Sequence, residues 1–156
     1  MKPFELLIEE HGPAILRFCA GRVGPERAED CFQDTMLAAL RSYGDLRDEK
    51  AVKSWLFTIA ARKTIDIHRA SARIPVPAEE IEEEIIRRAE WQPGSGDIWS
   101  LVHELPEKQA IALQLRFRGG LSHREVGEVM EISEAAARRN VFEGLKRLRE
   151  ERSSWL

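Results

Sequence analysis

Residues 120–145 read GLSHREVGEVMEISEAAARRNVFEGL, and the punctuation of this stretch decides the fold. Ser122 and Glu125 stand at capping-box spacing ahead of Val126, Val129 and Met130, which recur on one helical face. Glu131 and Ile132 fall at a turn, and Ser133 is placed to cap a second helix. Two capped helices joined by about three residues make a helix-turn-helix. The second helix is expected to run from Glu134 to near Glu151. It buries Val141, Leu145 and Leu148 and displays Arg138, Arg139, Lys146, Arg147, Arg149 and Arg152. Any helical hairpin has caps, and the helix dipole alone favours bases near a C-terminus. Motif and basic cluster together point to nucleic acid.

Working outward, ELPEKQAIALQLRFRGG at 104–120 places Pro106 at a first helical position. Ala110, Ile111, Leu113, Leu115 and Phe117 supply its apolar positions, and Gly119 or Gly120 ends it. No run in the chain alternates apolar and polar β-branched residues, so the fold class is all-α. Residues 74–97, IPVPAEEIEEEIIRRAEWQPGSGD, begin with Pro75 and Pro77, end in QPGSG, and carry seven carboxylates against two arginines. This stretch is an acidic linker between two small helical domains, 1–73 and 98–156. Ile81, Ile85 and Ala89 share a face and suggest a short amphipathic helix inside it. Fully extended, a segment of this length reaches roughly 80 Å, so the two domains need not touch.

In the first domain, Glu26 to Tyr43 forms one helix with Ala28, Cys31, Phe32, Thr35, Met36 and Ala39 on its buried face. Asp30, Gln33, Asp34, Leu37 and Arg41 fall on the opposite stripe. A single exposed leucine is ordinary, but one ringed by carboxylates and an amide is also the pattern of a partner anchor. Ser54 is placed to cap a further helix to about Ala72, with Leu56, Phe57, Ala60, Thr64 and Ile67 inward. Its other face carries Trp55, Ile59, Arg62, Asp66, Arg69 and Arg73, with Lys63 to one side. Basic groups beside an aromatic fit a nucleic-acid groove, while Trp55 equally fits packing against a neighbouring element.

The 156 residues carry a net charge of −3, but the acidity sits in the linker and leaves both domains near neutral. Neither a secretory leader nor a long apolar span is visible, so a cytoplasmic protein away from the membrane is expected. Cys19 and Cys31 read as buried free thiols, with a redox or zinc pair including His11 as the alternative. His11, His68, His103 and His123 are scattered, and no catalytic, metal or cofactor constellation stands out, which argues against an enzyme.

In their order and spacing, AEDCFQDTMLAALRSY, SWLFTIAARKTIDIHRA and LPEKQAIALQLRFRGGLSHREVGEVMEISEAAARRNVFEGLKRLRE resemble the extracytoplasmic-function (ECF) group of bacterial sigma factors over nearly the whole chain. The resemblance implies three partners: core RNA polymerase, promoter DNA and an anti-sigma factor. It places Asp30, Gln33, Asp34, Leu37 and Arg41 on a polymerase-binding surface. It makes the loop Gly44 to Lys53 a pocket for a flipped minus-ten base, with Arg62, Lys63, Asp66 and Arg69 on the helix beneath. Arg62 stands where the family often has asparagine, and Ala61 where it has arginine.

In the second domain the resemblance implies recognition of the minus-thirty-five element. Arg124 and Ser133 meet phosphates, Ala136 and Ala137 approach thymine methyls, Arg138, Arg139 and Asn140 supply hydrogen bonds, and Lys146 adds a backbone contact. Relatives typically carry threonine and a β-branched residue at positions 136 and 137, and arginine at 140, so a weak or unusual element is expected. Two competing readings are a helix-turn-helix regulator acting without polymerase and a sigma-like decoy.

Overall fold

The computed structural model describes residues 2–73 and 98–154. All regular structure among them is helical. The expected helix around Ile81, Ile85 and Ala89 lies outside the described residues, as does the side chain of Arg73.

Helix α1, Phe4–Val23, precedes the elements that periodicity marks. It contains Pro13, a residue that removes a hydrogen bond and normally ends a helix. Here Leu7, Ile15, Phe18 and Cys19 are buried on both sides of the proline, and packing overrides the local preference. The chain then reverses at Gly24, whose φ of 89° favours glycine, and α2, Pro25–Ser42, starts with proline in its first turn. Ala28, Cys31, Thr35, Met36 and Ala39 are its buried face, as expected, with Phe32 half-buried. The Thr35 hydroxyl donates to the Cys31 carbonyl at 2.7 Å, so a buried polar group is satisfied within its own helix.

Helix α3, Val52–Arg73, buries Leu56, Phe57, Ala60 and Thr64, and the Phe57 ring meets Phe18 edge-on at 5.8 Å. It starts two residues ahead of Ser54, so Ser54 is not its cap. The side-chain cap just upstream belongs to the short turn Glu49–Ala51, where the Asp48 carboxylate accepts from Lys50 N. Ser54 is buried instead and turned toward the second unit.

The second unit comprises α4, Ile98–His103; α5, Glu107–Leu113; α6, His123–Met130; and α7, Glu134–Ser154. Helix α5 continues into one π turn, Gln114–Arg118, closed by Gly119 N donating to Gln114 O. That turn overturns the expected burial of Phe117: the extra residue shifts the register, leaving Phe117 half exposed and Gln114 buried. Both expected caps form. Ser122 and Glu125 exchange hydrogen bonds at 2.9 and 3.1 Å, and Ser133 Oγ accepts from Ala136 N at 3.0 Å. Glu131 turns the corner with φ 58°. Gly144, unfavourable in a helix by about 1 kcal/mol relative to alanine, has a reason here. A Cβ there would come within 2.9 Å of Leu113 Cδ1, so its absence lets α7 close on α5.

The two units touch. Their buried apolar side chains form one cluster, and α1 packs on the π turn while α3 packs on α6.

Candidate functional site

Two outward surfaces and one corner of the molecule carry the residues singled out by sequence. On α2, Asp30, Gln33, Asp34, Leu37 and Arg41 are all exposed on one stripe, with Leu37 52% accessible. Leu40, 54% accessible, adds a second apolar group one turn on; its spacing of three from Leu37 was the available signal. Beneath the stripe, Cys19 and Cys31 are buried and hydrogen-bond to each other. The Cys19 thiol is pushed up by that bond and by burial. Cys31 is lowered, chiefly because it accepts from Cys19, with Thr35 assisting against burial. The thiols therefore pair with one another. His11 lies elsewhere, beside Glu10, Lys53 and Lys2, and burial holds its imidazole below the ordinary value.

That corner contains a cavity of about 310 Å³ lined by Leu7, Glu10, His11, Tyr43, Lys50 and Lys53 among others. Part of the loop from Gly44 to Lys53 thus forms one wall, with α1 opposite. Tyr43 donates its hydroxyl to the Lys2 carbonyl and leans toward Trp55, with ring centroids 6.3 Å apart. Trp55 is half-buried and packs against the core, so its indole is a wall of the unit as much as a platform. Further along α3, Arg62, Asp66 and Arg69 are exposed and Lys63 is half-buried. Arg62 is paired at 3.6 Å with Glu131 of the helix-turn-helix corner.

On the second unit, Arg124, Ser133, Arg138, Arg139 and Lys146 are exposed. Arg124 pairs with Glu128 and Arg138 with Glu134, each at 3.5 Å and one helical turn apart. Ala137 is a correction: it is fully buried, its N–H bonds to Ser133 O, and its methyl is core, unavailable to a thymine. Ala136 is half-buried at the rim. Asn140 donates from Nδ2 to Ala136 O at 3.2 Å, so its amide is partly engaged by its own helix. Sequence reasoning passed over Phe142, 68% accessible. At 100° per residue it lies on the α7 face between Arg138, Arg139, Lys146 and Arg149, an aromatic ring within a basic surface. Its absence from the α7 core set was the signal.

Among the described residues no three His, Cys, Asp or Glu side chains group to hold a metal ion, and no helix is long and apolar enough to cross a membrane.

Residues 7–74 match the Sigma-70 region 2 family model and residues 95–148 match Sigma-70, region 4. The ECF RNA polymerase sigma factor ShbA of Streptomyces griseus is 32% identical, over 93% of this chain and 84% of its own. This chain belongs to the ECF RNA polymerase sigma factors. The ECF sigma factor SigD of Mycobacterium tuberculosis is 30% identical, over 93% of this chain and 74% of its own. Two solved structures share the fold. The sigma factor RpoE of Bartonella quintana, in complex with the anti-sigma factor NepR, superposes with a TM-score of 0.74 at 20% identity, covering 96% of each chain. CnrH, in complex with the cytosolic domain of CnrY, gives 0.70 at 20% identity, covering 97% of this chain and 88% of its own. As a sigma factor, the chain is a DNA-binding transcription initiation protein that directs core RNA polymerase to promoters.

Proposed function

We propose that residues 1–73 dock core polymerase through Asp30, Gln33, Asp34, Leu37 and Arg41, and that α3 with the adjoining loop captures and melts the minus-ten element. The observation that carries this division is the exposed pair Leu37 and Leu40 within a carboxylate-lined stripe, on a unit separate from the capped helix-turn-helix. An apolar anchor ringed by polar groups is the composition of a binding hot spot. The cavity between Tyr43, His11 and Lys53 is the candidate receptacle for an unstacked base, with Arg62, Lys63 and Arg69 along the single strand. Residues 98–156 read the minus-thirty-five element. Arg138, Arg139 and Phe142 face the bases, while Arg124, Ser133 and Lys146 meet the backbone.

The protein acts in the cytoplasm, without a catalytic step of its own, and an anti-sigma factor covers these surfaces when transcription is off. The sigma factor RpoE, which shares this fold, was captured with the anti-sigma factor NepR, which supports that last reading. Run-off transcription with core polymerase and a promoter library tests the whole. Promoter-specific transcripts that need both proteins are expected; duplex binding with no polymerase dependence would replace this reading with that of an ordinary repressor or activator.

A further inference from the structure

Within the basic outward face of α7 stands a carboxylate that the surrounding cations do not absorb. Glu143 is exposed, adjacent in the chain to Phe142, and one helical turn from Arg139, Lys146 and Arg147. Among the described residues it forms no ion pair with any of these three, whereas Glu134 is paired with Arg138 and Glu128 with Arg124. Its partner is an amide reaching out from beneath. Gln109 of α5 is 7% accessible and donates from Nε2 to Glu143 Oε2 at 3.5 Å, a long bond that restrains the carboxylate without neutralising it. The next residue, Gly144, lets α7 close on α5 at this level: a Cβ there would lie 3.5 Å from Gln109 Cβ. Oε1 of Glu143 is left facing outward chemistry.

A carboxylate on a DNA-facing surface repels each phosphate it approaches and so weakens binding to every sequence, unless it meets a hydrogen-bond donor. In the major groove only two bases present one: cytosine at N4 and adenine at N6. Adenine sets its N7 acceptor beside N6, which opposes a carboxylate; cytosine carries no acceptor next to N4 on that edge. Guanine and thymine offer O6 with N7 and O4, acceptors that a carboxylate rejects.

We propose that Glu143 is a base-discriminating residue of α7, accepting from cytosine N4 at one position of the minus-thirty-five element, with Gln109 as the residue that positions it. This role rests on the assignment of α7 to that element. Arg139 and Glu143 are about 6 Å apart along the helix axis and base pairs are stacked about 3.4 Å apart, so the two side chains meet different pairs. Their chemistries divide the code. The guanidinium selects acceptors and the carboxylate selects a donor. The same charge that lowers general affinity thereby raises the contrast between a matched site and the rest of the DNA.

The test uses holoenzyme, the full chain with core polymerase, on promoters randomised at the minus-thirty-five element ahead of a fixed, transcribed minus-ten region. Sequencing the transcripts gives the base preference at each position. The wild type is expected to favour cytosine over thymine at one position by about tenfold, as one good base contact supplies. Glu143→Ala should level that position and raise transcription from the other sequences. Glu143→Gln, nearly the same shape, should move the preference toward adenine, because an amide pairs with N6 and N7 together. Gln109→Leu keeps the charge but frees it, and should reduce the cytosine preference about threefold without moving its position. If Glu143→Ala changes all sequences by one common factor, or Glu143→Gln keeps the wild-type profile, Glu143 is not a reader. Arg139→Ala in the same selection separates the two levels. A profile that responds to Arg139 but to neither Glu143 variant overturns this role alone, whereas a profile that responds to neither residue also overturns the assignment of α7.

Discussion

Met36 and Leu37, adjacent in the chain, face opposite ways: Met36 is 7% accessible within the core of the first unit and Leu37 is 52% accessible on the α2 stripe. Leu37→Asp should therefore leave the melting temperature nearly unchanged, since surface substitutions usually stay within about 0.5 kcal/mol. It should also abolish co-elution with core polymerase, because a truncated hot spot costs roughly 2 kcal/mol or more. Met36→Asp buries an unpaired carboxylate and should unfold the unit. If Leu37→Asp elutes with polymerase as the wild type does, the docking stripe lies elsewhere.

The α7 surface separates reading from positioning. Arg138→Ala or Arg139→Ala, where the side chain meets a base edge, should cost about 1–3 kcal/mol and relax preference at one promoter position. Phe142→Ala should lower discrimination for thymine with the salt dependence unchanged, as an apolar contact to a methyl group requires. Lys146→Ala and Arg124→Ala should weaken all sequences alike and reduce the salt slope by about one. Binding titrations over a salt series on matched and mismatched duplexes measure both quantities. Equal behaviour of all five variants would show that the reading face is misplaced.

How much of this was legible in the sequence depends on how local each cause is. Helix α2 and both helix-turn-helix caps follow from periodicity and from side chains bonding their own backbone three residues away, so Ser122, Glu125 and Ser133 stand where they were read. The outward stripe from Asp30 to Arg41 is legible for the same reason. What escaped is set by packing. Helix α1 runs through Pro13 because its flanks are buried, and Ser54 is drawn from a capping role into contact with Glu128. Phe117 and Ala137 both depart from expectation: one π turn exposed the ring, and the packing of α7 against α5 and α6 buried the methyl. Docking of the two units depends on residues far apart in sequence, such as Gly21 and Gln114, which no window of the chain reveals.

Gly127 gives a case where propensity and packing predict opposite signs. In mid-helix, glycine to alanine gains about 1 kcal/mol. A Cβ at Gly127, however, would come within 2.8 Å of the Ile132 carbonyl oxygen, at the corner closed by Ile132 N donating to Gly127 O. Backbone on both sides leaves no flexible side chain to yield. Gly127→Ala should lower stability by about 1–3 kcal/mol, the usual cost of overpacking. A rise in the denaturation midpoint would show that the corner relaxes freely.

Glu125 ties the capping box to the first unit, and its titration should be visible in stability. Burial raises its carboxyl, but the Ser122 N–H at 2.9 Å and the Lys53 ammonium at 3.3 Å outweigh burial and hold it below the ordinary value of 4.5. The unfolded chain therefore binds this proton at a higher pH than the folded one. The stabilisation is fully present above pH 4.5 and is lost as pH falls through the folded value. Other carboxylates titrate in the same window, so the informative quantity is the difference between two chains. Glu125→Gln keeps an acceptor for Ser122 N and carries no titrating charge. At neutral pH it should be less stable than the wild type by at most about 1 kcal/mol, because the Lys53 pair is partly solvated. Urea melts of both chains from pH 7 to pH 3 should show that gap constant down to about pH 4.5 and closing below it. A gap that does not change with pH would mean that the Glu125 carboxylate is not held by Ser122 and Lys53 in solution.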